Sequence, residues 1–109
     1  MSGSTDDNLG RRLFQVRKEK AVEEALEKIR RGSTAQWNLI SSSDSEILKE
    51  VLGEIWTSID RNRWGSYRFS KVSAEDLKSL IILGKEMKSQ YSLTDEKIRQ
   101  MDKILGGTE

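Results

Sequence analysis

The sequence contains no cysteine and no histidine among its 109 residues. Without cysteine there are no disulfide bonds and no thiolate metal ligands, and without histidine the usual general base of serine and cysteine nucleophiles is missing. Zinc sites built from these two residue types are excluded as well. The phosphate-binding patterns GxxxxGK[ST] and GxGxxG are also absent. We therefore expect a protein that is not an enzyme and that holds no metal and no cofactor.

Carboxylates are the remaining candidates for chemistry. Glu23, Glu24 and Glu27 lie close together, as do Asp95 and Glu96. Such groups are able to hold Mg²⁺ or to exchange protons. They also suit the polar faces and first turns of helices, where carboxylates keep the surface solvated and interact well with the helix dipole. The second interpretation needs no ligand and is preferred.

Long apolar runs are missing too. No stretch approaches the roughly 20 consecutive apolar residues of a membrane-spanning helix, and the start MSGSTDDNLGRR lacks the apolar core of a signal peptide. Lysine and arginine number 19 against 18 aspartate and glutamate, so net charge attracts neither nucleic acid nor anionic lipid. We expect a cytoplasmic, intracellular protein without a membrane span, in which any basic function is local.

Proline, the strongest helix breaker, is absent from the chain. Apolar residues recur at three- and four-residue spacing and predict four helices, at about 7–31, 44–60, 73–91 and from 92 or 94 to 105. Ser43 followed by Glu46 indicates a capping box at the second start, and Ser73 marks the third. Gly84 lies within the apolar stripe of the third helix, which favours close approach of another helix.

These patterns predict an all-α fold, a small helical bundle of about four helices with an amphipathic basic N-terminal segment. The apolar fraction of 35% supports one modest core. We expect a flexible N-terminus at residues 1–8 and a single helical domain at 9–107. The connections at 32–43 and 61–72 are long for a compact domain, so Trp37 and Trp64 are expected to anchor ordered loops there.

The first predicted helix differs from the others because its apolar residues do not form one stripe. At about 100° per residue, Leu9, Leu13 and Val16 share one side, while Phe14 and the apolar residues from Ala21 to Ile29 lie mostly on another. Either the helix bends near residues 17–20, or its first half faces a partner while its second half joins the core.

Basic residues form two local clusters. The stretch RNRWGSYRFSK at 61–71 interleaves basic and aromatic side chains, an arrangement that suits single-stranded nucleic acid because cations meet phosphates and rings stack on bases. The other interpretation is a loop pinned to the core by Trp64 and Phe69, with its arginines in water. The candidate nucleic-acid-binding residues of both clusters are Arg11, Arg12, Arg17, Lys18, Arg61, Arg63, Trp64, Tyr67, Arg68 and Lys71.

Two apolar patches are candidate protein interfaces. One is Leu9, Leu13 and Val16, and the other is Ile82 with Leu83, which fall off the main stripe of the third helix. The leading hypothesis is a non-catalytic helical adaptor or regulatory protein that binds a protein partner or forms a homo-oligomer. The alternative is a nucleic-acid-binding accessory protein that binds single-stranded RNA or DNA through the two basic clusters.

Overall fold

The computed structural model describes the backbone of residues 2–90 and 94–106, and the side chains of residues 9–89 and 94–106. Helices dominate this part of the chain, and it contains no strand. The helices are α1 (Ser2–Gly32), α2 (Thr34–Trp37), α3 (Ser42–Ser58), α4 (Arg61–Ser66), α5 (Ala74–Gln90) and α6 (Asp95–Gly106), with a 3₁₀ turn at Phe69–Lys71. The predicted all-α fold is confirmed. The predicted flexibility of residues 1–8 and the domain limit at residue 107 stay predictions, because the side chains of 1–8 and all of residue 107 lie outside the described part.

The four long helices match the four predicted ones, but α1 begins at Ser2 and not near residue 7, and the start of α3 is corrected as well. The N-cap of α3 is Ser41 and not Ser43, since the Ser41 hydroxyl accepts a hydrogen bond from the Asp44 N–H at 3.2 Å. Three consecutive serines offer the same capping oxygen, so the sequence does not distinguish them. The predicted cap of α5 is confirmed, because the Ser73 hydroxyl accepts from the Asp76 N–H at 3.1 Å.

Both long connections contain short helical elements of their own, as expected for ordered segments. The first holds α2, and the second holds α4 and the 3₁₀ turn. Trp37 and Trp64 are half-buried and pack against the core. The end of α1 lies directly on the 3₁₀ turn, where a β-carbon at Gly32 would collide with the Ser70 carbonyl oxygen.

The core lies between the second half of α1, α3, α5 and α6. Its fully enclosed side chains, each with no exposed area, come from all four helices: Ile29, Leu48, Val51, Leu52, Ile55, Leu80, Met101 and Leu105. Helices α3 and α5 approach closely at Gly84, where an added β-carbon would lie 2.5 Å from Val51 Cγ2 and 2.6 Å from Ile47 Cγ2. The packing role predicted for Gly84 is confirmed.

Candidate interaction surface

Phe14 anchors the first half of α1 to the rest of the molecule. Phe14 packs edge-on against Trp56 of α3, with ring centroids 5.0 Å apart. The Arg61 guanidinium lies 5.9 Å from the Phe14 centroid and 5.2 Å from the Trp56 centroid. Aromatic pairs and cation–π contacts of this kind each stabilise by about 1 kcal/mol. This cluster fixes which side of α1 faces the body.

Lys18, one turn after Phe14, extends the same contact. A β-carbon at Gly53 of α3 would lie 3.1 Å from Lys18 Cε, so the lysine stem runs across the α3 surface where that glycine leaves room. The side of α1 that carries Phe14 and Lys18 therefore continues towards the core side chains of the second half, Val22, Ala25 and Ile29. Helix α1 passes through residues 17–20 as one α-helix.

The opposite side of the same half-helix carries an apolar stripe that faces away from the body. Leu9, Leu13 and Val16 are 58%, 51% and 60% exposed. At about 100° per residue these three side chains fall within an arc of about 60°, far from Phe14. Among the described side chains, these three and Phe14 make up four of the six large apolar residues that are exposed. We call Leu9, Leu13 and Val16 the outer stripe.

The structure brings only part of the two basic clusters together. Arg11, Arg12 and Arg17 are exposed on α1. Arg61 reaches this helix through the Phe14 ring. Arg63 turns the other way, towards α6. The two clusters therefore meet at one point and do not form one continuous set of free cations.

The segment at 61–71 is held by its aromatic residues. Tyr67 and Phe69 are 7% and 4% exposed, with ring centroids 5.7 Å apart. Trp64 is half-buried and lies 4.9 Å from the Phe69 ring. Stacking on bases requires an accessible ring face, so the expectation that Tyr67 stacks on nucleic acid is corrected: Tyr67 is a core residue. The arrangement matches the interpretation of a segment pinned to the core.

Arg63 forms a bidentate ion pair with Asp102 of α6. Its Nε donates to Oδ1 at 2.8 Å and its Nη2 donates to Oδ2 at 2.7 Å, while the Tyr67 hydroxyl donates to Oδ1 at 2.7 Å. The guanidinium is thus already paired with a carboxylate in the geometry that a phosphate would need. Arg63 thus ties α4 to α6 while its side chain stays more than half exposed, and its assignment as a phosphate contact stays a prediction.

This three-residue network shifts the pKa values of its members. The hydrogen bond from Arg63 is the main reason that the pKa of Asp102 lies below its ordinary value; partial burial opposes this shift and the hydrogen bond from Tyr67 adds to it. Burial, aided by the hydrogen bond to Asp102, raises the pKa of Tyr67 well above that of a free tyrosine. Asp102 is therefore ionised and Tyr67 neutral at pH 7, as the ion pair requires.

The other two basic residues of this segment are exposed. Arg68 and Lys71 have their side chains in solvent, and the Arg68 backbone N–H donates to the Leu105 carbonyl at 3.0 Å. That bond adds a second tie between the segment and α6. The assignment of Arg68 and Lys71 as nucleic-acid contacts stays a prediction.

The second apolar patch is smaller than predicted. Ile82 is 56% exposed, but Leu83 is only 9% exposed and belongs to the core cluster. Leu83 is therefore corrected from an interface residue to a core residue. Ile82 borders a shallow groove of about 370 Å³ between α5 and α6, which is lined by Ser79, Ile82, Leu83, Gln100, Lys103 and Ile104.

The carboxylates considered for metal binding lie in ordinary helical surroundings. Glu27 pairs with Arg30 at 2.6 Å and with Arg31 at 3.1 Å, and the hydrogen bond from Arg30 chiefly lowers the pKa of Glu27. Within the described ranges, no group of three or more histidine, cysteine, aspartate or glutamate side chains is arranged to hold a metal ion. Nor does that part of the chain include a helix with the length and apolarity needed to span a bilayer.

Comparisons with protein-family models, with curated proteins and with solved structures find no match for this chain.

Proposed function

We propose that this chain is a non-catalytic helical adaptor or regulator that binds a protein through the outer stripe of α1. The observation that carries the proposal is the pair of opposite faces on one half-helix. One face is anchored by Phe14 on Trp56, and the other presents three apolar side chains that are each more than half exposed. Apolar side chains on successive helical turns are the usual means by which a helix docks in a groove or on another helix.

The outer stripe is accessible to a partner because α1 is long and α3 covers only its other side. A helix of 31 residues is about 46 Å long, and the molecule measures 52 × 31 × 28 Å, so α1 accounts for its longest dimension. Contiguous exposed apolar surface costs free energy in water, and association recovers it. A partner that covers the outer stripe meets no obstruction from α3, which lies on the other side of α1.

Site-specific photo-crosslinking in the cells that naturally make this protein tests the proposal. A photoreactive residue in place of Leu13 is expected to give a discrete protein adduct, whereas the same residue in place of Glu54, which is exposed on α3, is expected to give none. Replacing Leu9 and Val16 with serine should remove the adduct at position 13 without changing the melting temperature. Equal labelling from both positions, or no adduct from either, would contradict the proposal.

The nucleic-acid alternative is supported by one observation, the position of Arg61 beside the basic first half of α1. Tyr67 is buried and Arg63 is paired with Asp102. The other cations of the two clusters are Arg11, Arg12, Arg17, Lys18, Arg61, Arg68 and Lys71. Titration with a single-stranded oligonucleotide at low salt tests it, because each phosphate contact releases counterions and makes the affinity fall steeply with salt. The expected signs are a change in tryptophan fluorescence and a salt slope that Arg61→Ala flattens. Absence of binding at low salt excludes this alternative.

A further inference from the structure

The outer stripe has the spacing of a short coiled-coil seam. Leu9, Leu13, Val16 and Lys20 follow one another at intervals of four, three and four residues. This is the alternation of the a and d positions in a heptad repeat, with Leu13 and Lys20 at a and Leu9 and Val16 at d. The next such position is Glu23, so the apolar seam is limited to about two turns.

The charged residues beside this seam determine what it is able to pair with. Arg12 and Glu19 occupy g positions, Arg17 and Glu24 occupy e positions, and all four side chains are exposed. In a parallel pair of identical helices, g residues meet the e residues five positions further along the partner. Arg12 would then face Arg17, and Glu19 would face Glu24. Both contacts are repulsive and each occurs twice, so a parallel pairing is disfavoured.

We propose that the outer stripe pairs with the same stripe of a second copy in antiparallel orientation; this inference rests on the proposed function and names its partner. Aligning Leu13 of one copy with Val16 of the other places Leu9 opposite Lys20, whose aliphatic stem covers the leucine. In this register the two g positions face each other, so Arg12 of each copy meets Glu19 of the other. The two opposite-charge contacts are related by the two-fold axis of the pair, and both lie beside its apolar centre.

The remaining flank adds no like-charge contact, although the next layer of the seam in this register sets Asp6 of one copy opposite Glu23 of the other. The e positions that meet are Gly10 and Arg17, so no like charges are brought together there. Phe14 and Lys18 lie at b and f positions, on the side that contacts α3, and are not needed by the pairing. A two-turn seam is smaller than the ~1,200 Å² that a standard stable interface buries, so the dimer is weak and depends on concentration.

Charge reversal with rescue tests the orientation. Sedimentation equilibrium of the purified chain, from low micromolar to near-millimolar concentration, is expected to show a monomer–dimer equilibrium. Arg12→Glu and Glu19→Arg should each weaken dimerisation about tenfold, because each replaces two attractive contacts with two repulsive ones.

An equimolar mixture of the two variants should restore dimers. In the mixed dimer the glutamate introduced at position 12 meets the arginine introduced at position 19, and the unchanged Arg12 and Glu19 of the two chains still meet each other. Lys28→Glu, also on α1 but away from the seam, is the matched control and should leave the equilibrium unchanged.

Two outcomes overturn the inference. Stronger dimerisation of Arg12→Glu would indicate a parallel pair, in which the introduced carboxylate meets Arg17 of the second copy. A wild-type chain that stays monomeric at near-millimolar concentration would exclude self-pairing altogether. In that case, photo-crosslinking from position 13 distinguishes self-pairing from the proposed function. An adduct with a different protein would support the proposed function, and the absence of any adduct would contradict both proposals. Circular dichroism and melting of each variant confirm that the fold is retained.

Discussion

Replacement of Gly84 by alanine tests the close contact between α3 and α5. The new β-carbon would lie 2.5 Å from Val51 Cγ2 and 2.6 Å from Ile47 Cγ2, whereas relaxed carbon atoms sit about 3.5–4.0 Å apart. Val51 has no exposed area, and its branched side chain has few rotamers to escape into. Helix α5 must therefore move away from α3, or the core must repack.

The sign of the effect follows from two opposing contributions. Alanine gains about 1 kcal/mol of helix propensity over glycine, and overpacking of a filled core costs about 1–3 kcal/mol. We expect Gly84→Ala to lower the free energy of unfolding by about 1 kcal/mol, which corresponds to a melting temperature lower by roughly 4–6 °C.

Gly65→Ala is the matched control for this experiment. Gly65 lies in α4, and nothing would come within 4 Å of an added β-carbon there. This variant therefore gains propensity without the steric cost, and the difference between the two variants isolates the clash at about 1–3 kcal/mol. Urea unfolding followed by circular dichroism measures both values. If Gly84→Ala proved as stable as Gly65→Ala, α3 and α5 would not be in close contact at this residue.

Three further predictions concern the core, the polar network and the dynamics of α1. Leu52→Ala, at a side chain with no exposed area, should lower the free energy of unfolding by about 2–5 kcal/mol in urea titrations, and a change near zero would mean that Leu52 is not buried. Asp102→Asn should destabilise the protein at pH 7. Because folding lowers the pKa of Asp102, the stabilisation it provides is complete above the unfolded pKa of the carboxyl group and is lost as the pH falls through the folded value. The gap between wild type and variant should therefore close in acid, and a gap independent of pH would contradict the ion pair with Arg63. Native-state hydrogen exchange should find slow amides in α3 and α5 and fast amides before Val16, and slow exchange throughout α1 would show that its first half is held more firmly than one aromatic contact explains.

The helices are predictable from the sequence because their signals are local. Apolar residues at helical spacing and a serine cap are read within one or two turns, which locates α3, α5 and α6 to within about two residues. The separation of Phe14 from the outer stripe is also visible from the period alone, since it needs only the 100° step. The orientation of the first half of α1 follows from that separation once Trp56 is known to be its contact.

Other features depend on residues that are distant in sequence. The burial of Tyr67 and the pairing of Arg63 both involve Asp102, 35 and 39 positions away, and no motif links them. The sequence around Asp102 does not indicate its role, because an aspartate next to a buried methionine is common in an amphipathic helix. The prediction that Leu83 is an interface residue is wrong. Leu83 lies off the main apolar stripe of α5, but its side chain belongs to the core cluster, and the spacing of residues within α5 does not show this.

The positions of the three tryptophans give the protein its own optical reporters. Trp37 lies in α2, Trp64 packs on Phe69 in the 61–71 segment, and Trp56 lies under Phe14 and the Arg61 guanidinium. A chain that keeps only Trp56, with phenylalanine in place of the other two, would report by its emission whether the first half of α1 rests on α3. Lifting that half-helix would remove the Phe14 ring from the indole. Attachment and release of α1 are therefore measurable in solution without any attached dye.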